Sequence, residues 1–125
     1  MIEKLQIDET FKTPSIQFDP DIGTLEIEGR SILDIPRDFY TRILDWLDKY
    51  RPKKGLEISV RIQFYYYSTP SVKYIREIFK KMEALHQRGH KIEIKWECEE
   101  GDDDTLRDGE GFKVLVNLPF EIVIV

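Results

Sequence analysis

The chain has 125 residues, enough for one domain with its own hydrophobic core. Its composition is 41% hydrophobic and 34% charged, which is typical of a globular protein and excludes an intrinsically disordered one. The net charge of −5 argues against nucleic acid or an anionic membrane as the main partner, and no apolar run is long enough to span a bilayer. The opening residues, MIEKLQIDET, lack the apolar core of a signal peptide, so we expect a cytoplasmic protein.

The N-terminal part predicts a hairpin and a helix. Residues 1–15 are polar and include Thr13-Pro14, which is expected to be an extended dipeptide and not part of a helix. Ile16–Phe18 and Thr24–Glu28 are predicted strands, because a turn containing Pro and Gly separates two short alternating segments. Pro36 is expected to open a helix that runs to about Tyr50, with an apolar face and a charged face.

The central stretch, residues 56–88, predicts a strand, a corner and a second helix. From Leu56 to Tyr66 the even positions are apolar or aromatic, the period of a strand with one face in a core, so Tyr66 is predicted to be buried. Apolar residues with helical spacing follow from Val72. Since Pro70 suits the first position of a helix, Thr69 is the expected N-cap residue.

The C-terminal part continues the alternation. Lys91–Glu97 is a predicted strand, and a third helix is expected from about Asp103 to Phe112, although two glycines weaken it. Residues 120–125 form either a last strand or a segment packed over the sheet. The element order predicts a single domain, residues 1–125, of the α/β class, with a mixed sheet of four or five strands and helices mainly on one face.

The corner between the central strand and the second helix offers hydroxyl groups at a helix N-terminus. A phosphoryl group on Thr69 would meet backbone N–H groups and the positive end of the helix dipole there. The alternative is an ordinary helix cap.

Two tyrosines beside this corner, Tyr65 and Tyr67, are predicted to point away from the core face. Exposed aromatic side chains at that position suit a protein interface. If helices cover both faces of the sheet, they are core residues instead.

The acidic loop, residues 97–104, has two interpretations. Its carboxylates are the oxygen ligands that Mg²⁺ and Ca²⁺ prefer, which would suit a small metal-dependent enzyme. The spacing does not match an EF-hand, and a run of like charges is usually solvated, so an electrostatic contact with a basic partner is the other interpretation.

Catalytic motifs are missing from the sequence. It has no Gly-rich phosphate loop and no G-x-S-x-G elbow. Cys98 lies between Glu97 and Glu99, which would raise its pKa and make it a poor nucleophile. Because the chain has only this one cysteine and two histidines, a structural zinc site is not expected. We therefore expect no catalytic residue, no cofactor, no bound metal and no enzymatic activity.

Several short patterns occur together along nearly the whole chain. They are Thr13-Pro14-Ser15-Ile16, Leu25-Glu26-Ile27-Glu28-Gly29-Arg30-Ser31, Phe39-Tyr40 with Asp45-Trp46-Leu47 and Tyr50, Tyr67-Ser68-Thr69-Pro70-Ser71 before Lys73, Trp96 with the acidic loop, Gly109 with Phe112, and Leu118-Pro119-Phe120. In order and spacing this set resembles the SiaC family of bacterial regulatory phosphoproteins.

The resemblance implies a fold and a mechanism. The fold is similar to that of the anti-sigma-factor antagonists (the STAS fold). Thr69 falls on the threonine that a dedicated Ser/Thr kinase phosphorylates and a PP2C-like phosphatase dephosphorylates, and the unphosphorylated form binds a diguanylate cyclase. The family's corner usually reads Asn-Thr-Ser-Ser, whereas here Ser68 and Pro70 flank Thr69. Ser68 and Ser71 are the alternative acceptors.

The main hypothesis is a non-enzymatic phosphoswitch that binds and controls another protein. The predicted partner-binding residues are Tyr65, Tyr67, Ser68, Ser71, Lys73, Asp102, Asp103 and Asp104. The alternatives are a small metal-dependent enzyme built on the acidic loop and a constitutive scaffold without switching.

Overall fold

A computed structural model describes residues 2–125, and Met1, the first residue of the predicted domain, lies outside the described residues. Within this range the chain forms six strands and three helices. Their bounds are β1 Leu5–Ile7, β2 Ser15–Asp19, β3 Thr24–Ser31, α1 Arg37–Lys49, β4 Glu57–Tyr67, α2 Thr69–Gln87, β5 Lys91–Cys98, α3 Asp103–Leu115 and β6 Phe120–Ile124.

All six strands belong to one sheet, in which they lie side by side in chain order. β1, β2 and β3 are antiparallel neighbours, and β3 to β6 are parallel because a helix connects each of these strands to the next. The predicted α/β class and mixed sheet are confirmed. The predicted number of four or five strands is wrong, since Leu5–Ile7 forms a strand in the polar segment 1–15, where none was predicted. Phe120–Ile124 forms the last strand, which was one of the two predicted alternatives for that segment.

The helices pack on one face of the sheet, as predicted. The even-numbered residues of β4 from Ile58 to Phe64 are buried in one core with residues of all three helices. The opposite face is polar, and Arg61 lies at its centre. The Nε of Arg61 is 2.7 Å from Glu26 Oε2, and its guanidinium is 2.9 Å from carboxylate oxygens of both Glu28 and Glu97.

A register shift near the end of β4 reverses the direction of its last side chains. Gly29 of β3 pairs with Phe64, and the next residue, Arg30, pairs with Tyr66, so Tyr65 is left over. An extra residue moves every following side chain to the other face. The predicted burial of Tyr66 is therefore wrong, since its side chain is 60% exposed. Tyr67 instead packs on the helix-covered face, with its ring centroid 5.5 Å from that of Phe64.

In residues 2–125 no helix combines the length and the apolar character needed to cross a membrane.

Candidate functional site at the β4–α2 corner

The candidate site lies where the parallel strands end. β3, β4 and β5 run in the same direction, so the loops that follow them meet at one edge of the sheet, which we call the C-terminal edge. It comprises residues 32–36 after β3, Ser68 at the start of α2, and residues 99–102 after β5. In α/β proteins, ligands and partners commonly bind at this edge.

Helix α2 begins one residue earlier than expected. Thr69 is its first helical residue, Pro70 its second, and Ser68 is the N-cap residue, with an extended backbone (φ −73°, ψ 156°). The prediction of Thr69 as the N-cap is therefore wrong. The Ser68 hydroxyl does not cap the helix, because it donates to the carbonyl oxygen of Leu33 at 3.1 Å. Thr69 is exposed, and its hydroxyl makes no hydrogen bond within residues 2–125.

Ser71 lies in the interior, in a cluster of four hydroxyl groups. Its Oγ is 2.8 Å from Ser31 Oγ and 2.9 Å from Ser68 Oγ. The Ser31 hydroxyl is also 2.6 Å from the hydroxyl of Tyr40 on α1, and burial raises the pKa of Tyr40 to about 12. Ser71 is fully buried, so in this conformation it belongs neither to the exposed surface nor to the accessible phosphoacceptors. Thr69 is thus the exposed hydroxyl of the corner.

Ser31 and Tyr40 were not predicted as part of the site. The sequence contained one usable signal, because Tyr40 falls in the apolar face of α1 and a buried tyrosine hydroxyl requires a hydrogen-bond partner. Nothing in the sequence identifies Ser31 and Ser71 as those partners, since they are 40 residues apart.

The two predicted interface tyrosines lie on opposite faces of the sheet. Tyr67 donates its hydroxyl hydrogen bond to the carboxylate of Asp108 on α3, and burial together with this contact raises the pKa of Tyr67. Tyr65 lies on the polar face and donates to Glu28 Oε2 at 2.8 Å. The prediction that both point away from the core face is wrong for Tyr67. Only Tyr67 lies on the side of the sheet that α2 and α3 cover.

The acidic loop contains the start of α3. Asp102 is the N-cap residue of that helix, and its carboxylate accepts hydrogen bonds from the Thr105 N–H at 3.2 Å and the Thr105 hydroxyl at 2.7 Å. Asp103 and Asp104 are exposed residues of the first turn, where negative charge is favourable. Across residues 2–125, no three His, Cys, Asp or Glu side chains are grouped so that they could hold a metal ion. Asp102 therefore has a structural role, whereas Asp103 and Asp104 are exposed to outside contacts, with Asp104 Oδ1 3.6 Å from Arg107 Nη1.

Three further exposed side chains surround the corner. Lys73 lies one turn after Thr69 on α2. Tyr66 precedes the corner on the polar face of the sheet, where it pairs with Arg30. Ile35 is exposed in the β3–α1 loop, to which Ser68 is hydrogen bonded through Leu33. Sequence patterns missed Ile35 and Tyr66, because Ile35 lies in no periodic segment and Tyr66 follows the register shift.

Comparisons with known proteins identify the family. The family model described as "SiaC family regulatory phosphoprotein" matches residues 7–125. A chain of Pseudomonas aeruginosa (strain UCBPP-PA14), an uncharacterized protein, is 25% identical over 118 residues, which are 94% of each chain. These matches agree with the resemblance inferred from the sequence motifs.

Solved structures show the same fold. The structure of SiaC of Pseudomonas aeruginosa is 23% identical, with a TM-score of 0.87 over 99% of this chain and 100% of that one. A second structure holds the diguanylate cyclase SiaD in complex with its activator SiaC, of the same organism. The matching chain is 24% identical, with a TM-score of 0.88 over 97% of this chain and 99% of that one. Since the family model spans nearly the whole chain, the protein belongs to the SiaC family of regulatory phosphoproteins.

Proposed function

We propose that this protein binds and controls a partner enzyme, and that phosphorylation of Thr69 ends the binding. The observation that carries the proposal is the exposed hydroxyl of Thr69 at the C-terminal edge, which has no hydrogen-bond partner among residues 2–125. The partner we propose is a diguanylate cyclase, since the related SiaC of Pseudomonas aeruginosa is described in complex with SiaD as its activator. The protein itself then acts as a binding component and not as a catalyst.

The proposed acceptor is Thr69 rather than its serine neighbours. A kinase must bring the attacking hydroxyl in line with the γ-phosphorus of ATP, which requires an accessible side chain. Ser71 is fully buried, and the half-buried Ser68 hydroxyl is engaged with Leu33 and Ser71. In the reaction the Thr69 oxygen loses its proton and takes the phosphoryl group, and ADP leaves. A phosphatase restores the hydroxyl by hydrolysis.

The fold should tolerate a phosphate on Thr69. The group carries a charge of about −1.5 to −2 and would lie at the positive end of the α2 dipole. Few backbone donors are available there, because Pro70 has no N–H and the Ser71 N–H already donates to the Ser68 carbonyl at 2.9 Å. We therefore propose Lys73, one turn further along the helix, as the main counter-charge.

Partner release follows from the cost of burying this phosphate. The proposed docking surface consists of the exposed side chains around Thr69 on the helix-covered side and its loops, which are Ile35, Lys73, Asp103 and Asp104. Burying an uncompensated dianion under a partner costs several kcal/mol, whereas an exposed charge pair contributes only about 0–1 kcal/mol. The cost of desolvating the phosphate thus exceeds any gain from its long-range attraction to a basic partner. A loss of about 4 kcal/mol corresponds to roughly a thousandfold weaker affinity.

Three of the predicted partner-binding residues are not included in this surface. Ser71 is buried, Tyr65 lies on the opposite face of the sheet, and the Asp102 carboxylate caps α3. The half-buried Ser68 and Tyr67 lie at the margin of the surface and support it from beneath.

The test compares binding before and after phosphorylation. The protein is treated with its kinase, phosphate incorporation is measured by intact mass, and affinity for the cyclase is measured by calorimetry. We expect the phosphorylated protein to lose binding and the phosphatase-treated protein to regain it. Thr69→Ala should bind in both treatments, and Thr69→Ser, the matched control, should remain switchable. Equal affinity of the Thr69-phosphorylated and unmodified forms would refute the switch and favour a constitutive scaffold.

A further inference from the structure

The two edges of the sheet differ in how well they are protected. β1 has three residues, with Lys4 before it and Asp8 after it. β6 has five residues, FEIVI, of which only Glu121 is charged. Soluble proteins usually shorten, charge or cover an edge strand, because its unpaired backbone groups bind other strands. Compared with β1, β6 is neither short nor flanked by charges on both sides.

The free edge of β6 presents backbone groups of alternate residues. The Pro119 carbonyl and the Val125 N–H bond to β5, each at 2.9 Å. Backbone groups of successive residues point to opposite sides of a strand, so those of Phe120, Ile122 and Ile124 point away from β5. In the part of the chain that the structure describes, β6 pairs with β5 alone. Three N–H and three C=O groups are therefore available at this edge.

Exposed apolar side chains lie near both ends of this edge, Ile124 at the end of β6 and Val114 and Leu115 at the end of α3, beside the start of β6. Ile124 is 53% exposed, Leu115 61% and Val114 85%. The end of α3 and the start of β6 are neighbours, since Phe112 and Phe120 both pack on Phe79, at centroid distances of 5.2 and 5.6 Å. An apolar area of this kind on a soluble protein marks an interaction surface.

We propose that a second copy of this chain binds here, with β6 antiparallel to β6 about a two-fold axis at Ile122. Ile122 then faces its own copy, and Phe120 faces Ile124 of the other chain. Each is a hydrogen-bonded pair, so all three N–H and all three C=O groups of each strand find partners. Such an isologous contact requires only one suitable strand.

The charges and side chains of β6 fit this arrangement. Glu121 faces Val123 of the other copy, so the single charge of the strand does not oppose itself. The two-fold axis is perpendicular to the sheet, so both helix layers lie on the same side. The end of each α3 helix, which lies beside the start of its own β6, is then near Ile124 of the other copy. Self-pairing thus matches both the backbone groups and the apolar surface, which favours a second copy over a strand of another protein.

Sedimentation equilibrium of the full-length protein tests the proposal. We expect a mass that rises with concentration from 14.9 kDa toward twice that value. Ile124→Lys places a charge in the apolar contact and should give a monomer, with unchanged circular dichroism. The matched control is Ile22→Lys, because Ile22 is a 65% exposed isoleucine in the β2–β3 turn, far from β6 in the sheet. This variant should still form dimers.

Hydrogen exchange provides a second measurement that needs no variant. The Ile122 N–H should become protected as protein concentration rises, whereas the Val123 N–H, which faces β5, should be protected at every concentration. A monomer at all soluble concentrations would overturn the proposal, as would a dimer that Ile124→Lys leaves intact. Protection of Ile122 that appears only when the cyclase is added would also overturn it, and would assign the edge to a partner strand.

Discussion

Gly109 of α3 lies directly against the indole ring of Trp96 in β5. A Cβ atom at position 109 would be 2.5 Å from Trp96 Cδ1 and 2.6 Å from its Nε1. The same Nε1–H donates to the Thr105 carbonyl, one turn earlier on α3, at 3.0 Å. The glycine that lowers the helix propensity of this segment is thus what allows the helix to pack on the sheet.

Gly109→Ala should destabilise the protein. Alanine favours a helix by about 1 kcal/mol relative to glycine, but the added methyl overlaps Trp96, and overpacking costs about 1–3 kcal/mol. Gly111 provides the matched control, since its Cβ would meet no atom within 4 Å. We expect urea denaturation to show a lower free energy of unfolding for Gly109→Ala and a slightly higher one for Gly111→Ala. Equal effects of the two changes would contradict the close contact.

The periodic segments of this fold could be predicted from the sequence. Apolar residues recur with the helical period in α1 and α2 and with a period of two in β4 and β5. The location and the buried face of each of these elements could therefore be predicted directly. The register shift could not be predicted, because it depends on how β3 pairs with β4 and not on either strand alone. As a result the sequence placed Tyr66 inside and Tyr67 outside, the reverse of the structure.

The corner itself was predictable in part. Its position between β4 and α2 followed from the change of period at residue 67 and from Pro70. The difference in exposure between Thr69 and Ser71 depends on a hydroxyl cluster that joins β3, α1 and α2. Such a cluster is a property of tertiary structure, so local patterns do not reveal it. The structure was needed to separate an exposed hydroxyl from a buried one two residues away.

The buried hydroxyl of Tyr40 predicts a loss of stability at alkaline pH. In the unfolded chain the tyrosine loses its proton near its ordinary pKa of 10.0, whereas in the folded protein burial raises the pKa of Tyr40 to about 12. Between these values the unfolded state binds fewer protons, so its relative free energy falls as pH rises. The contribution is fully present below pH 10 and is lost through about pH 12, for a total of about 2–3 kcal/mol.

Urea denaturation of Tyr40→Phe across this range tests the assignment. The variant should be less stable than the wild type near neutral pH, because Ser31 loses a hydrogen bond of 2.6 Å. Its stability should then fall less steeply above pH 10. A remaining slope is expected, since burial also raises the pKa of Tyr50 to about 12. Tyr66→Phe, at an exposed position, is the control and should follow the wild type. Parallel curves for Tyr40→Phe and the wild type would refute the prediction.

Asp103 and Asp104 should accelerate partner association through their electric field. Both are exposed at the C-terminal edge, where a basic partner surface would be attracted over about 10 Å at 0.1 M salt. Changing both to Asn should slow association, measured by stopped flow, and flatten its dependence on salt. Asp102 must be retained, because removing the cap of α3 would cost about 1 kcal/mol.

The control for charge alone is Asp21→Asn with Asp45→Asn, which removes two exposed carboxylates that lie outside the C-terminal edge. This variant should associate at nearly the wild-type rate. Calorimetry with Mg²⁺ or Ca²⁺ provides an independent check. A bound cation that disappears in the Asp103 and Asp104 variant would overturn the purely electrostatic role.

Thr69→Ala should abolish phosphorylation without reducing stability, whereas Ser71→Ala should reduce stability without abolishing phosphorylation. The Thr69 hydroxyl makes no hydrogen bond to any residue that the structure describes, so its removal should change the free energy of unfolding by no more than about 0.5 kcal/mol. Ser71→Ala leaves the buried hydroxyl group of Ser31 and the half-buried one of Ser68 with one partner fewer, at a cost of about 1–3 kcal/mol. Phosphate incorporation, measured by intact mass, should vanish in Thr69→Ala and persist in Ser71→Ala. The reverse pattern would assign the phosphosite to Ser71.

Lys73 should be the main counter-charge of a phosphate on Thr69. It is exposed one turn along α2, and the first turn of this helix contains no acidic residue. A nearby positive charge favours the dianion and should lower the second pKa of the phosphothreonine below its ordinary value of about 6. ³¹P NMR titration should show this pKa rising in Lys73→Gln by a few tenths of a unit, as expected for a solvent-exposed pair. The shift should shrink at high salt.

Arg76→Gln is the matched control, because it removes one positive charge from an exposed site of the same helix, about two turns from Thr69. Its titration curve should follow that of the wild type. If Lys73→Gln also titrates like the wild type, the helix dipole alone stabilises the phosphate. If Arg76→Gln gives the larger shift, the phosphate is directed along α2 toward Arg76 and not toward Lys73.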